Sequence, residues 1–119
     1  MARSTLLIAV AAFVLIGSAA NAQSDQTSRG RLLTQRYCAG CHAIGRTGVS
    51  PNRAAPAFRE LNSRYKIDDL AEALGEGILV GHPAMPEMRF PPEDVTAILA
   101  YIRSIQARQE ASAYPPPVS

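Results

Sequence analysis

The sequence predicts an all-α domain. In several segments apolar residues recur at helical spacing, and the stretches between them are rich in glycine and proline. No stretch alternates apolar and polar residues in the way that indicates a β-strand. With 119 residues, the chain is long enough for one domain. Its 12 basic and 10 acidic residues are interspersed, so the sequence predicts no nucleic-acid partner.

The first predicted helix covers residues 26–39. Leu33 and Tyr37 belong to a modest apolar stripe at helical spacing there. Asp25 or Ser28 precedes the stripe and is of the residue type that caps a helix N-terminus.

For the middle of the chain, the sequence predicts a loop followed by two shorter helices. Glycines and prolines in residues 43–57 indicate irregular structure. Apolar residues at helical spacing predict a short helix over residues 58–65. We expect Asp68 to cap the next helix, which continues to Ile78 and ends before Gly81.

The last predicted helix has the clearest signals. Pro92 suits its first turn, and Glu93 and Asp94 suit the positive end of its dipole. One face is apolar and is expected to be buried, with Tyr101 beside it; this face comprises Val95, Ile98, Leu99, Ile102 and Ile105.

The first 22 residues are typical of a secretory signal peptide. Arg3 precedes an apolar run over residues 6–16, and the run is followed by an Ala-x-Ala cleavage pattern. A membrane anchor is disfavoured because the run is shorter than the roughly 20 residues that span a bilayer. We therefore expect residues 1–22 to be removed by cleavage after Ala22. Residues 23–110 are then expected to form one domain, and residues 111–119 a flexible, Pro-rich tail.

Both cysteines of the chain lie in one motif, Cys38-Ala39-Gly40-Cys41-His42. A Cys-x-x-Cys-His pattern predicts covalent attachment of haem. The two thiols add across the two vinyl groups as thioethers, and the histidine binds the iron. The spacing places both thiols on one helical turn, and the two small residues between them leave room for the porphyrin.

Three other chemistries use similar residues. A thioredoxin-like dithiol requires a βαβ pattern that this chain lacks. A zinc site could be assembled from Cys38, Cys41, His42 and His82, but two ligands adjacent in sequence suit a small tetrahedral ion poorly. A disulfide is the default for two cysteines in an exported protein, and it would leave the histidine incidental. The pattern favours haem over all three.

The iron needs a further axial ligand, and the candidates are His82, Met85 and Met88. Pro83 and Pro86 exclude a regular helix around Met85 and stiffen the backbone. Such a loop is an unusual place for a packing methionine and suits a thioether ligand. His82 is chemically the stronger ligand, and its alternative interpretation is an exposed loop histidine.

Residues 38–42, the Met85-Pro86 step and the helix around Tyr101 resemble those of bacterial class I cytochromes c. The resemblance extends over residues 30–105. It implies a cytochrome c fold of three to five helices wrapped around one covalent haem c. It also implies axial ligation of the iron by the motif histidine and Met85.

The resemblance assigns further residues to the site. In the family, a proline carbonyl in the loop after the motif accepts the Nδ1 proton of the histidine, and Pro56 matches that place. Such a bond fixes the tautomer and leaves Nε2 for iron. Phe58 and Tyr65 are expected in the haem pocket, and Arg53, Arg64 and Tyr65 are candidate donors to the propionates.

The family also crosses its terminal helices through a small residue and an aromatic one. The matching positions are Gly30 and Tyr101. The family often has an aromatic residue four positions before the first cysteine, where this chain has Thr34. Leu33 or Tyr37 could supply that volume instead.

Ligation by histidine and methionine leaves no open position on the iron, so the resemblance implies a periplasmic one-electron carrier and not an enzyme. Its implied partners are donor and acceptor oxidoreductases, with the haem-attachment machinery during maturation and no stable membrane insertion. The alternatives are a haem c subunit of a larger oxidoreductase complex, or a pentacoordinate or bis-histidine haem protein.

Overall fold

A computed structural model describes residues 2–77 and 84–107, with side chains from residue 19 onward. Several predicted features lie outside the described residues: the candidate ligand His82, the end of the second predicted long helix at Ile78 and Gly81, and the tail over residues 111–119.

Three α-helices and two 3₁₀ segments make up the regular structure of the described residues. Helix α1 spans Ala2–Tyr37, α2 spans Leu70–Glu76 and α3 spans Pro92–Ile105. The 3₁₀ segments are Phe58–Ser63 and Ile67–Asp69, and the second runs directly into α2. Residues 2–77 and 84–107 contain no β-strand, and the all-α prediction is confirmed. None of the described helices is long and apolar enough to cross a membrane.

Helices α1 and α3 cross where Gly30 meets α3. A Cβ atom at Gly30 would overlap the carbonyl oxygen of Ala97 and lie 2.8 Å from Cβ of Tyr101. Only glycine allows this approach, so the predicted contact between Gly30 and Tyr101 is confirmed. An ion pair of 2.5 Å between Arg29 and Asp94 joins the same two helices.

Helix α3 supplies most of the core. It begins at Pro92, as predicted, because a first-turn proline lacks only an N–H that the helix would leave unpaired. Its predicted apolar face is buried, together with Tyr101. The remaining core residues come from the 3₁₀ segments and from the stretch before α3: Phe58, Leu61, Ile67 and Phe90.

Two of the predicted helix starts are wrong. Asp25 and Ser28 lie inside α1, which continues toward the N-terminus, so there is no helix start for them to cap. Asp68 lies in the 3₁₀ turn before α2, and its carboxylate pairs with Arg103 of α3. The N-cap of α2 is Asp69, without a side-chain hydrogen bond to the helix.

The other two short elements also end differently from the prediction. The segment expected as a helix over residues 58–65 is the 3₁₀ segment Phe58–Ser63. Helix α2 ends at Glu76 because Gly77 takes the left-handed conformation with φ 74°. This conformation favours glycine and terminates helices. The predicted end at Ile78 and Gly81 lies beyond this point, outside the described residues.

Candidate functional site

The motif at residues 38–42 forms the turn that follows α1. The amides of Cys38 and Ala39 donate to the carbonyl of Thr34 at 2.9 and 3.0 Å. The amides of Cys41 and His42 then donate to the carbonyl of Cys38 at 3.1 and 2.9 Å. Both cysteines therefore lie on one turn, and both are free thiols.

The two thiols differ in their surroundings. Cys41 is exposed, whereas Cys38 is half-buried beside the core. Burial raises the pKa of the Cys38 thiol to about 11, because a low-dielectric surrounding disfavours the thiolate. Zinc binds the thiolate form, and no group of three or more His, Cys, Asp or Glu among the described residues is placed to hold a metal. His82, the fourth residue of the zinc interpretation, lies outside the described residues.

His42 is held by a backbone carbonyl and an aromatic ring. Its Nδ1 lies 2.8 Å from the carbonyl oxygen of Pro56. A carbonyl can only accept, so Nδ1 carries a proton, and in the neutral imidazole this leaves the lone pair on Nε2. The Phe58 ring lies 4.9 Å from the imidazole, centroid to centroid, at an angle of 43°.

Hydrogen bonds within the loop place the carbonyl of Pro56 beside the ring of His42. The amide of Ala43 donates to Oγ of Ser50 at 2.9 Å, and the amide of Phe58 donates to the carbonyl of Ala43 at 2.9 Å. Ser50 is buried. Sequence reasoning missed it because a serine in a Gly- and Pro-rich loop carries no signal that distinguishes it from its neighbours.

Two cavities, of about 120 and 230 Å³, share part of their lining. The residues common to both cavities are Cys38, His42, Met85, Pro86 and Met88. The first cavity extends into the core along Phe58, Leu61, Tyr65, Leu70, Ala73, Leu74, Ile98 and Ile102. The second extends toward the surface along Tyr37, Gly40, Cys41, Asn52, Ala54, Ala55, Pro56 and Ala84.

Each of the seven predicted site residues lines at least one cavity: Cys38, Cys41, His42, Pro56, Phe58, Tyr65 and Met85. Arg53 and Arg64 are exposed and line neither. Sequence reasoning missed part of the cavity wall, because Leu74, Ile98 and Ile102 were expected only as core residues. An apolar helix face has the same pattern whether it packs against protein or against an apolar group.

The methionines lie on a segment that is fastened near its end. We call residues 84–90 the methionine segment. Met85 is 39% exposed, and Met88 packs partly buried against the core. The amide of Phe90 donates to the carbonyl of Leu74 at 2.9 Å, which attaches the segment to α2. Arg89 covers Gly77, where a Cβ atom would lie 2.7 Å from the arginine Cγ.

The residues present fit a covalent haem. Two free thiols on one turn suit two thioether bonds, and the imidazole offers Nε2 to a metal. Met85, whose side chain carries a thioether, lines the same two cavities, and the wall of the first cavity is mostly apolar. This donor set, one imidazole and one thioether in an apolar pocket, is one that proteins use to bind haem iron.

Comparison with known proteins gives two matches. Residues 25–102 match the family described as "Cytochrome C oxidase, cbb3-type, subunit III". "Cytochrome c oxidase subunit 2" of Alkalihalophilus pseudofirmus is 32% identical over 93 residues, an alignment that covers 66% of this chain and 25% of the relative. The chain thus spans about a quarter of the length of that relative. No solved structure matches the chain. Because the family match covers more than half of it, the chain belongs to the cbb3-type cytochrome c oxidase subunit III family of c-type cytochromes.

Proposed function

We propose that this protein is an exported one-electron carrier that holds one covalent haem c, with His42 and Met85 as the residues that would ligate its iron. The observation that carries the proposal is the pair of cavities that share Cys38, His42 and Met85. The family match gives a c-type cytochrome domain, which carries haem c for electron transfer. The proposal adds which residues hold the haem and where the protein works.

The chain contributes attachment and orientation. When bound, the haem supplies the iron that takes up and releases one electron. Cys38 and Cys41 would hold the group covalently at two points on one turn. Pro56 holds the proton of His42 on Nδ1, which orients the ring and increases the donor strength of Nε2.

Met85 completes the ligand set and explains why the protein is proposed as a carrier. A thioether ligand raises the reduction potential relative to a second histidine, and it fills the position at which a substrate would bind. The chain then has no catalytic residue of its own. Electrons would pass to and from donor and acceptor oxidoreductases at the second cavity, where Cys41 and Met85 are exposed.

A second function is supported by the family description and by the oxidase relative. In this alternative the domain is the haem c subunit of an oxidase complex, in which it transfers electrons without leaving its partner. Purification from native membranes and periplasm distinguishes the two. A free carrier is recovered in the periplasmic fraction and a subunit co-purifies with an oxidase. Protein sequencing of the periplasmic form is expected to give Gln23 as the first residue.

The haem assignment is tested by expression with the haem-attachment machinery. We expect a red protein that keeps its colour in acid acetone, which extracts only unattached haem. The double variant Cys38→Ala, Cys41→Ala is expected to lose its haem in the same solvent, with Leu32→Ala as a surface control. A wild-type protein that is colourless, or that releases its haem, contradicts the assignment. Fast carbon monoxide binding by the reduced wild type would favour the pentacoordinate alternative.

A further inference from the structure

Tyr37 is exposed at the end of α1, yet its ring is held on two sides. The ring meets Phe90 edge to face, with centroids 5.4 Å apart and planes at 74°. The Arg36 guanidinium carbon lies 5.5 Å from the tyrosine centroid. Tyr37 is 44% exposed, whereas Phe90 is buried. An exposed ring that is fixed by a cation and a buried aromatic partner is better ordered than its exposure alone would predict.

This contact joins the two ends of the site. Tyr37 immediately precedes Cys38, the first thiol of the motif, and it lines the second cavity together with Met85. Phe90 ends the methionine segment, and its amide fastens that segment to Leu74 of α2. The aromatic pair therefore connects the turn that carries the thiols with the segment that carries the methionines.

We propose that Tyr37 is a positioning residue that holds the methionine segment in place for ligation, a role that rests on the proposed ligation by Met85. A thioether sulfur is a weak electron-pair donor and therefore a weak ligand. A modest change in the free energy of the methionine segment consequently alters the fraction of molecules in which Met85 is bound to iron. An edge-to-face aromatic contact contributes free energy beyond that of the buried area, and this contribution is large enough to change the bound fraction of Met85.

The test is a titration of the oxidised holoprotein with imidazole, followed by loss of the weak far-red band of methionine-ligated iron. Imidazole binds only when Met85 has left the iron, so its apparent affinity reports the dissociated fraction. We expect Tyr37→Ala to raise the apparent affinity about tenfold. Tyr37→Phe keeps the ring and is expected to bind imidazole as the wild type does.

Phe90→Leu provides a second variant in case Tyr37→Ala does not retain haem. It removes the same contact from the other side and is expected to give a similar increase in affinity. In the double variant the two increases are not additive, because they remove one interaction. Leu32→Ala, on the exposed face of α1, and Ile105→Ala, in the core of α3 away from both cavities, are the controls. Ile105→Ala lowers the unfolding temperature without changing the imidazole affinity.

The outcomes separate this role from the proposed function. A far-red band in the wild type together with unchanged imidazole affinity in Tyr37→Ala and Phe90→Leu overturns the positioning role alone. An equal affinity increase in Ile105→Ala also overturns it, because the effect would then follow general stability. A wild type without the far-red band overturns ligation by Met85 and the role of Tyr37 together.

Discussion

The two sides of the site are built differently. The histidine side, residues 38–58, is crossed by hydrogen bonds that include those at Ala43, Phe58 and His42 itself. The methionine segment is attached to the rest of the described chain by one backbone hydrogen bond, from Phe90 to Leu74. Phe58 is 7% exposed and Met85 is 39% exposed.

The two proposed ligands are therefore positioned by different kinds of contact. On the histidine side, Phe58 packs into the core, and the His42 ring is held by that side chain and by the carbonyl of Pro56. Met85 instead depends on a segment that lies over the cavities and is secured at Phe90. We therefore expect changes on the histidine side to alter the stability of the fold, and changes on the methionine segment to alter the spectrum more than the stability.

The largest effect is expected for Phe58→Ala. Phe58 is buried, packs against the His42 ring and lines the first cavity. Its truncation is expected to lower the free energy of unfolding by about 3–5 kcal/mol, which corresponds to a fall of roughly 12 °C or more in the unfolding temperature. Thermal unfolding of the holoprotein, followed by far-UV circular dichroism, measures this. A loss no larger than that of the surface variant Leu32→Ala would contradict a core role for the histidine side.

Ser50→Ala is expected to have an intermediate effect. It leaves the buried amide of Ala43 without its acceptor, at a cost of about 1–3 kcal/mol. Ser63→Ala is the matched control, because Ser63 is exposed and its hydroxyl donates to the carbonyl of Glu60 three residues earlier. Denaturant unfolding should distinguish the two variants, while the far-red band stays unchanged in both. Equal stability of the two would show that the loop is not held by Ser50.

Gly77→Ala gives a smaller effect, on the side of the methionine segment. The left-handed conformation and the contact with Arg89 both disfavour a Cβ atom, with an expected cost of about 1–2 kcal/mol. Gly75→Ala is the control within the same helix, because its added Cβ would have no atom within 4 Å apart from those of its chain neighbours and the adjacent helix backbone. That substitution is expected to stabilise the protein by about 0.5–1 kcal/mol. Changes of the same sign in both variants would contradict this account of the end of α2.

The sequence predicted the features that depend on local chemistry. The Cys-x-x-Cys-His turn, the start of α3 at Pro92 and the apolar face of that helix follow from spacing and residue type. The crossing at Gly30 followed from family resemblance, and the close approach to Ala97 supplies its physical reason.

Features that depend on long-range partners could not be predicted in this way. Asp68 has the residue type of a helix cap, but it pairs with Arg103, which is 35 positions later in the chain. Two further interactions depend on how the loops fold back. They are the contact of Tyr37 with Phe90 and the hydrogen bond from the Ala43 amide to Ser50. A local pattern carries no information about such partners.

The central claim, that Met85 and not its neighbour Met88 ligates the iron, is tested most directly by the far-red spectrum of the oxidised holoprotein. Met85→Leu and Met88→Leu replace similar volumes on the same segment, and both methionines line both cavities. The account predicts that the weak methionine-to-iron band disappears in Met85→Leu and persists in Met88→Leu. A band that is intact in Met85→Leu would contradict it.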